Sequence, residues 1–347
     1  MLAQKLLVGI PNKKYIPEVI DIIKKYHIGG VILYKNNYDS LKEMLELTNS
    51  LKEANGNYDI PLIIAIDQEC GRVNRFPSEI NRIKSSYRQC LSGTECVRKA
   101  SNLTGDLLKK VGVNMNFAPV LDIRRQKDDN AFIGNRAFSS NYEEVIQCGK
   151  IWCEELTKDH VIPVIKHFPG HGSLNTDSHI FLPVITEFKE DKSDLIPFRE
   201  LIKEGVSALM VGHILIKGMT GHKPATLSRT FITDYVRKKH NYNGLIVTDE
   251  LGMRAVRIFY GKNKPVLKAY EAGNDIICIK YHPNYIEKIL NKLLKDAKLN
   301  KDEIEESCER IIKYKKEYKL SDKSINSTID IDKVNEVINE TNNMDEK

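Results

Sequence analysis

No stretch of the 347 residues approaches the roughly 18 consecutive apolar positions of a membrane span. The N-terminus, Met1-Leu2-Ala3-Gln4-Lys5-Leu6-Leu7-Val8-Gly9-Ile10, has no basic leader, and its apolar core is too short for a secretory signal. Cysteine is sparse and irregular: seven residues, at 70, 90, 96, 148, 153, 278 and 308, with no C-x-x-C pair and no even framework. That usage fits a reducing compartment, so a cytoplasmic protein is expected. Basic blocks interleaved with aromatics are missing too. The formal charge of +6 comes from lysines scattered along every segment, which reads as solvated faces rather than a nucleic-acid footprint. Neither nucleic acid nor membrane is expected as a partner, and a monomer is expected.

What is present is an ordinary soluble composition, 41% hydrophobic and 29% charged, in a length that suits one large α/β domain. Eight short apolar runs recur: Lys5–Ile10, Gly30–Tyr34, Leu62–Ile66, Val113–Phe117, Val161–Ile165, Ala208–Gly212, Leu245–Val247 and Asp275–Ile279. Amphipathic stretches separate them. Val19, Ile22, Ile23 and Tyr26 have helical spacing ahead of Gly29-Gly30, and Leu41, Leu45, Thr48 and Leu51 repeat it ahead of Asn55-Gly56. Strands that read as buried runs, alternating with helices, predict a parallel sheet covered by helices. Eight such units predict a single (β/α)8 TIM-type barrel over residues 1–320, with allowance for irregular first strands and with added C-terminal helices. Residues 321–347 are rich in Ser, Asn, Asp and Lys and are expected to form a mobile tail or a weakly held helix.

Chemistry-bearing residues follow the strands. Asp67 to Arg75 follow the third run, Asp122 the fourth, Lys166-His167 the fifth, His213 the sixth and Asp249-Glu250 the seventh. In a barrel those carboxyl ends share one rim, so the five segments would face one pocket. Asp249 could be a nucleophile, or it could cap a helix; from its own segment both readings stand. Glu250 is expected to alternate away from it. Asp177 and His179, two apart on a loop, could form a proton-transfer dyad, the carboxylate fixing the imidazole tautomer. Three histidines and Asp177 could also hold zinc, but their spacing matches no familiar zinc pattern and there is no H-E-x-x-H helix. No metal or cofactor is expected.

Six motifs in order carry a resemblance: Asp67-Gln68-Glu69-x-Gly71-Arg72-Val73-x-Arg75, Asn116 to Ile123, Gly134-x-Arg136-x-Phe138, Lys166-His167-Phe168-Pro169-Gly170-His171-Gly172, Asp177-Ser178-His179 and Thr248-Asp249. Together, over about residues 3 to 315, they resemble the glycoside hydrolase family 3 β-N-acetylhexosaminidases, the bacterial β-N-acetylglucosaminidases among them. The resemblance implies a (β/α)8 barrel and retaining hydrolysis of terminal non-reducing β-linked N-acetylglucosamine, with peptidoglycan (muropeptide) fragments as substrates. It implies Asp249 as nucleophile, His179 with Asp177 as acid/base, and Asp67, Arg75, Arg136, Lys166, His167 and His213 as sugar-binding residues. His171 is read as shaping its loop. A histidine acid departs from the usual retaining pair of carboxyls held about 5 to 5.5 Å apart.

Cys70 replaces a common glycine in the first motif, and Ser173-Leu174 replace a usual Asp-Thr in the fifth segment; both substitutions bear on loop closure rather than on reaction class. Three alternatives share much of the chemistry. A phosphorylase would use phosphate in place of water, because a histidine does not repel an anionic nucleophile. A β-glucosidase would normally need a carboxylic acid donor. A non-catalytic sugar-binding relative would bind without turnover.

Overall fold

The structure, a computed structural model, describes residues 1–56, 58–171, 182–296 and 299–346. Eight parallel strands form the sheet: β1 (Leu6–Gly9), β2 (Gly30–Leu33), β3 (Ile63–Ile66), β4 (Met115–Asn116), β5 (Ile162–Phe168), β6 (Ala208–Val211), β7 (Leu245–Thr248) and β8 (Ile277–Ile279). Each expected run coincides with one of them, although β5 continues to Phe168 and β7 to Thr248, past the expected ends. Neighbours in sequence are neighbours in the sheet, and β1 also pairs with β8, Leu6 opposite Ile277. Between β7 and β8 the Val247–Ile276 bridge closes the ring, with the Thr248 amide donating to the Ile276 carbonyl at 2.9 Å. The result is a (β/α)8 barrel. The irregularity expected in the first strands falls elsewhere, in the two-residue β4 and in a register shift between Ile165 and Phe168 of β5.

Alternation along the strands divides the core in two. Leu7, Ile32, Ile63, Ala65, Met115, Ile162, Val164, Ala208, Met210, Leu245 and Val247 fill the barrel interior. Their neighbours, such as Leu6, Val8, Val31, Leu33, Ile64, Leu209 and Ile246, pack outward against the helices. Side chains two apart share a face of a strand, which makes this division a matter of parity. Each fully buried leucine or isoleucine contributes about 2 kcal/mol relative to exposure. Helix Lys301–Glu317 seals the amino-terminal end of the barrel with Ile311 and Tyr314, and Tyr318 just beyond it joins the same interior cluster.

The segment from 321 onward, expected as a mobile tail or a weakly held helix, lies along the barrel. Asp322 accepts the Leu62 amide at 2.9 Å and the Asn55 side-chain amide at 2.7 Å, and Asn49 exchanges two hydrogen bonds with the Ile325 backbone. Helix Ile331–Asn342, capped by Asp330, then buries Val334, Ile338 and Thr341 against helix Thr94–Lys110. Asn335 and Asn342 bond the backbone of the 79–84 loop. Asparagines make these contacts, so the low hydrophobicity that suggested mobility is offset by hydrogen bonds.

Candidate active site

At the carboxyl ends of the strands the inward parity continues one step past the apolar layer, and there it turns polar. Ile32 is followed by Tyr34, Ala65 by Asp67 and Glu69, Val164 by Lys166, Val247 by Asp249, and Cys278 by Lys280. All of these polar residues line a cavity of about 390 Å³. His167 breaks the parity and still lines the cavity, because the β5 register shift lies between Ile165 and Phe168. Such a shift turns consecutive side chains toward one side. Glu250 also lines the cavity, contrary to the expected alternation, since β7 ends at Thr248 and strand geometry does not persist.

The wall is built from a sealed charge network. Lys166 donates to Asp67 Oδ1 at 2.7 Å and also meets Glu69. Arg136 grips Glu69 through Nε at 2.8 Å and Nη2 at 2.9 Å. Burial raises the Glu69 carboxyl, but Arg136 and Lys166 outweigh it and hold the group far below the usual carboxylate range. A bidentate guanidinium fixes the carboxylate plane as well as its charge. Arg72 ties down the loop before Arg136 by donating to the Phe132 carbonyl at 2.7 Å.

Asp122 orients the β5 end. Its Oδ2 sits 2.6 Å from His167 Nδ1, and Oδ1 accepts the His171 amide at 2.5 Å. Arg136 Nη2 lies 3.3 Å from His167 Nε2, so these contacts are satisfied when Nδ1 carries the proton and Nε2 accepts. Burial raises the Asp122 carboxyl, but His167 and His171 lower it further. The His171 ring packs 4.4 Å from the Phe132 ring, and burial pushes its pKa down to about 4.

Asp249 is one of the carboxyls that line the cavity. Burial raises it, while the nearby His213, His167 and Lys166 side chains and the Glu250 amide, 2.7 Å from Oδ1, bring it below its ordinary value. Glu250 goes the other way: burial lifts it to about 7 although Oε1 accepts the Gly252 and Lys280 amides at 2.7 and 2.8 Å. Two adjacent carboxyls with such divided environments can be one ionised and one protonated near neutral pH.

Of the expected sugar-binding residues, Asp67, Arg75, Arg136, Lys166 and His167 line the cavity together. His213 is buried behind it, Nε2 at 3.0 Å from the Glu250 carbonyl and Nδ1 at 2.8 Å from Thr226 Oγ1, where it supports the Asp249-Glu250 segment. Asp177 and His179, and with them Ser173-Leu174, lie outside the described residues. Tyr34 and Lys280 were not singled out from sequence, while Glu69 and Glu250 entered only as members of segments expected to face the pocket. The signal for most of them was the period of two. Lys280 is the clearest case, its ammonium 3.6 Å above the centre of the Tyr34 ring. Among the described residues, no cluster of three or more His, Cys, Asp or Glu forms a metal site.

Residues 3–314 match the glycosyl hydrolase family 3 N terminal domain. The chain belongs to glycosyl hydrolase family 3. A relative of this family 3 chain, β-hexosaminidase A of Pseudoalteromonas piscicida, is 31% identical over 351 residues, which cover 90% of this chain and 58% of that protein. β-Hexosaminidase LpqI of Mycobacterium tuberculosis is 30% identical over 326 residues, covering 89% and 80%. A family 3 β-N-acetylglucosaminidase structure from Paenibacillus sp. str. FPU-7 superposes with a TM-score of 0.90 at 30% identity, covering 98% of this chain and 67% of that one. The family 3 chain thus spans less than two thirds of the first relative's length.

Proposed function

We propose that this family 3 chain is a retaining exo-β-N-acetylglucosaminidase. The observation that carries the reading is the half-buried Asp249 carboxylate, held below its ordinary pKa, at the wall of a cavity whose polar lining includes Asp67, Arg136, Lys166 and His167. Asp249 Oδ1 accepts the Glu250 amide, and the other carboxylate oxygen has no hydrogen-bond donor among the described residues. That oxygen attacks the anomeric carbon as the glycosidic bond breaks. Imidazolium His179, paired with Asp177, gives its proton to the leaving oxygen, and neutral His179 then removes a proton from the water that cleaves the glycosyl ester. An imidazole with a pKa near its ordinary value of about 6.5 serves both steps. The relatives' hexosaminidase names support the same reading.

We further infer muropeptides as substrates, cleaved in the cytoplasm. Seven free cysteines, with the Cys90 and Cys148 sulfurs unbridged at 3.4 Å, suit a reducing compartment. Two cavity cations with no ion-pair partner among the described residues, Arg75 and Lys280, suit the lactyl carboxylate of an N-acetylmuramic acid neighbour. Among the described residues, no helix is long and apolar enough to cross a membrane.

Release of phenol from an aryl β-N-acetylglucosaminide tests the activity. Wild type is expected to release it, and Asp249→Ala to lower kcat by about 1,000-fold or more with the fold kept. Absence of release by wild type, or unchanged release by the variant, overturns the proposal. The rate is expected to be the same with and without phosphate. Phosphate dependence with a glycosyl phosphate product would replace hydrolysis by phosphorolysis.

A further inference from the structure

At the end of the barrel opposite Asp249, a second cavity of about 850 Å³ opens among the segments that lead into β1, β7 and β8 and helix Lys301–Glu317. Its floor carries Lys5, Arg237 and Arg310. The one carboxylate behind them, Asp275, is saturated. Its Oδ2 accepts from Arg237 and from the Ile246 amide at 2.7 Å, and Oδ1 accepts from Ser307 Oγ at 2.8 Å and Arg310 Nε at 3.1 Å. Lys5 is only 2% exposed, and among the described residues its ammonium has no hydrogen-bond or ion-pair partner. It lies 5.3 Å from the centre of the Tyr270 ring.

Three cations against one carboxylate leave two positive charges on this largely buried floor. The rim does not cancel them. Arg229 and Glu303 are spent on each other at 2.9 and 2.6 Å, while Glu271 and Glu306 are exposed to solvent. Burial brings the Lys5 amine down to about 8, with Asp275 and Cys308 opposing, so it is still mostly charged at neutral pH. A buried charge without a partner is costly, and a bound anion removes that cost.

We propose that this cavity is a binding site for a small metabolite bearing a phosphate monoester. The phosphate carries about −1.5 to −2 charges at pH 7, which matches the surplus of two. Arg310 uses Nε on Asp275, and its two terminal nitrogens have no partner among the described residues, which gives the forked donor that phosphate oxygens accept. The volume exceeds what a phosphate fills, and Tyr270 and Tyr242 wall the remainder.

Thermal unfolding of the intact chain at low salt, with glycerol 3-phosphate or inorganic phosphate against chloride at matched ionic strength, tests the site. Either phosphate probe at about ten times its Kd is expected to raise Tm by about 2 °C. Lys5→Met and Arg310→Gln are each expected to lose that rise, whereas Asp249→Asn keeps it. Equal rises in wild type and in the two floor variants, or no rise in wild type, overturn the proposal. Should the variants fail to fold, amine acetylation of wild type followed by mass spectrometry decides. Glycerol 3-phosphate is expected to slow labelling of Lys5 about fivefold and leave Lys14 unchanged, and equal labelling of Lys5 with and without it overturns the proposal.

Discussion

Lys166 at the site end of the barrel and Lys315 at the opposite end are equally sealed, each 2% exposed, and their surroundings are opposite. Lys166 meets two carboxylates, Asp67 and Glu69. Lys315 meets two neutral acceptors, Gln4 Oε1 at 2.9 Å and the Gly29 carbonyl at 3.0 Å. Burial lowers the Lys315 amine to about 7, with Asp322 opposing. The same side chain is therefore a fixed element of a charge network at one end and a group close to losing its proton at the other. Burial alone does not set the state of an ionisable side chain; the charge of what it touches does.

Glu69→Gln breaks this contrast most strongly. It leaves Lys166 and Arg136 buried with too little negative charge, as Lys315 is left now. A loss of about 3 kcal/mol in urea unfolding is expected, together with a fall in kcat/KM, because both cations line the cavity. Stability equal to wild type would show that the network is not held together by this carboxylate.

Lys315→Met tests the other end. The folded pKa, about 7, lies below the unfolded value of about 10.5, so between these values the unfolded chain binds more protons and stability rises with pH. Wild type is expected to gain about 2 kcal/mol more than Lys315→Met between pH 7 and pH 9 in urea unfolding. Parallel pH curves for the two proteins would refute the lowered pKa.

Glu250→Gln gives an effect of similar size with the opposite slope. Here the folded pKa, about 7, lies above the unfolded 4.5, so stability falls as pH rises through that window. The glutamine oxygen can still accept the Gly252 and Lys280 amides. The variant is expected to be about 2 kcal/mol more stable relative to wild type at pH 7 than at pH 5. No change in that difference would place Glu250 among ordinary carboxylates.

Much of this architecture was readable from residues. Strands buried on both faces must be apolar runs, and their polar successors fell at the same ends, so the site's side of the barrel followed from chain order alone. The terminal helix was harder to read. Val334, Ile338 and Thr341 have helical spacing, but the asparagines between them signalled disorder until the 79–84 loop backbone was there to bond them. Glu250 was misplaced because alternation was carried one residue beyond the end of β7.

By itself, then, the sequence determined the barrel, its ring of carboxyl-end segments and the family, because these depend on local periodicity and on motifs that lie along the chain. The tertiary structure alone decided which charges neutralise one another. Lys166 and Glu69 are 97 positions apart, and Arg237 and Asp275 are 38 apart. Whether a buried charge gains a partner depends on distances of a few ångströms across the closed ring, and those distances come from strand register and parity.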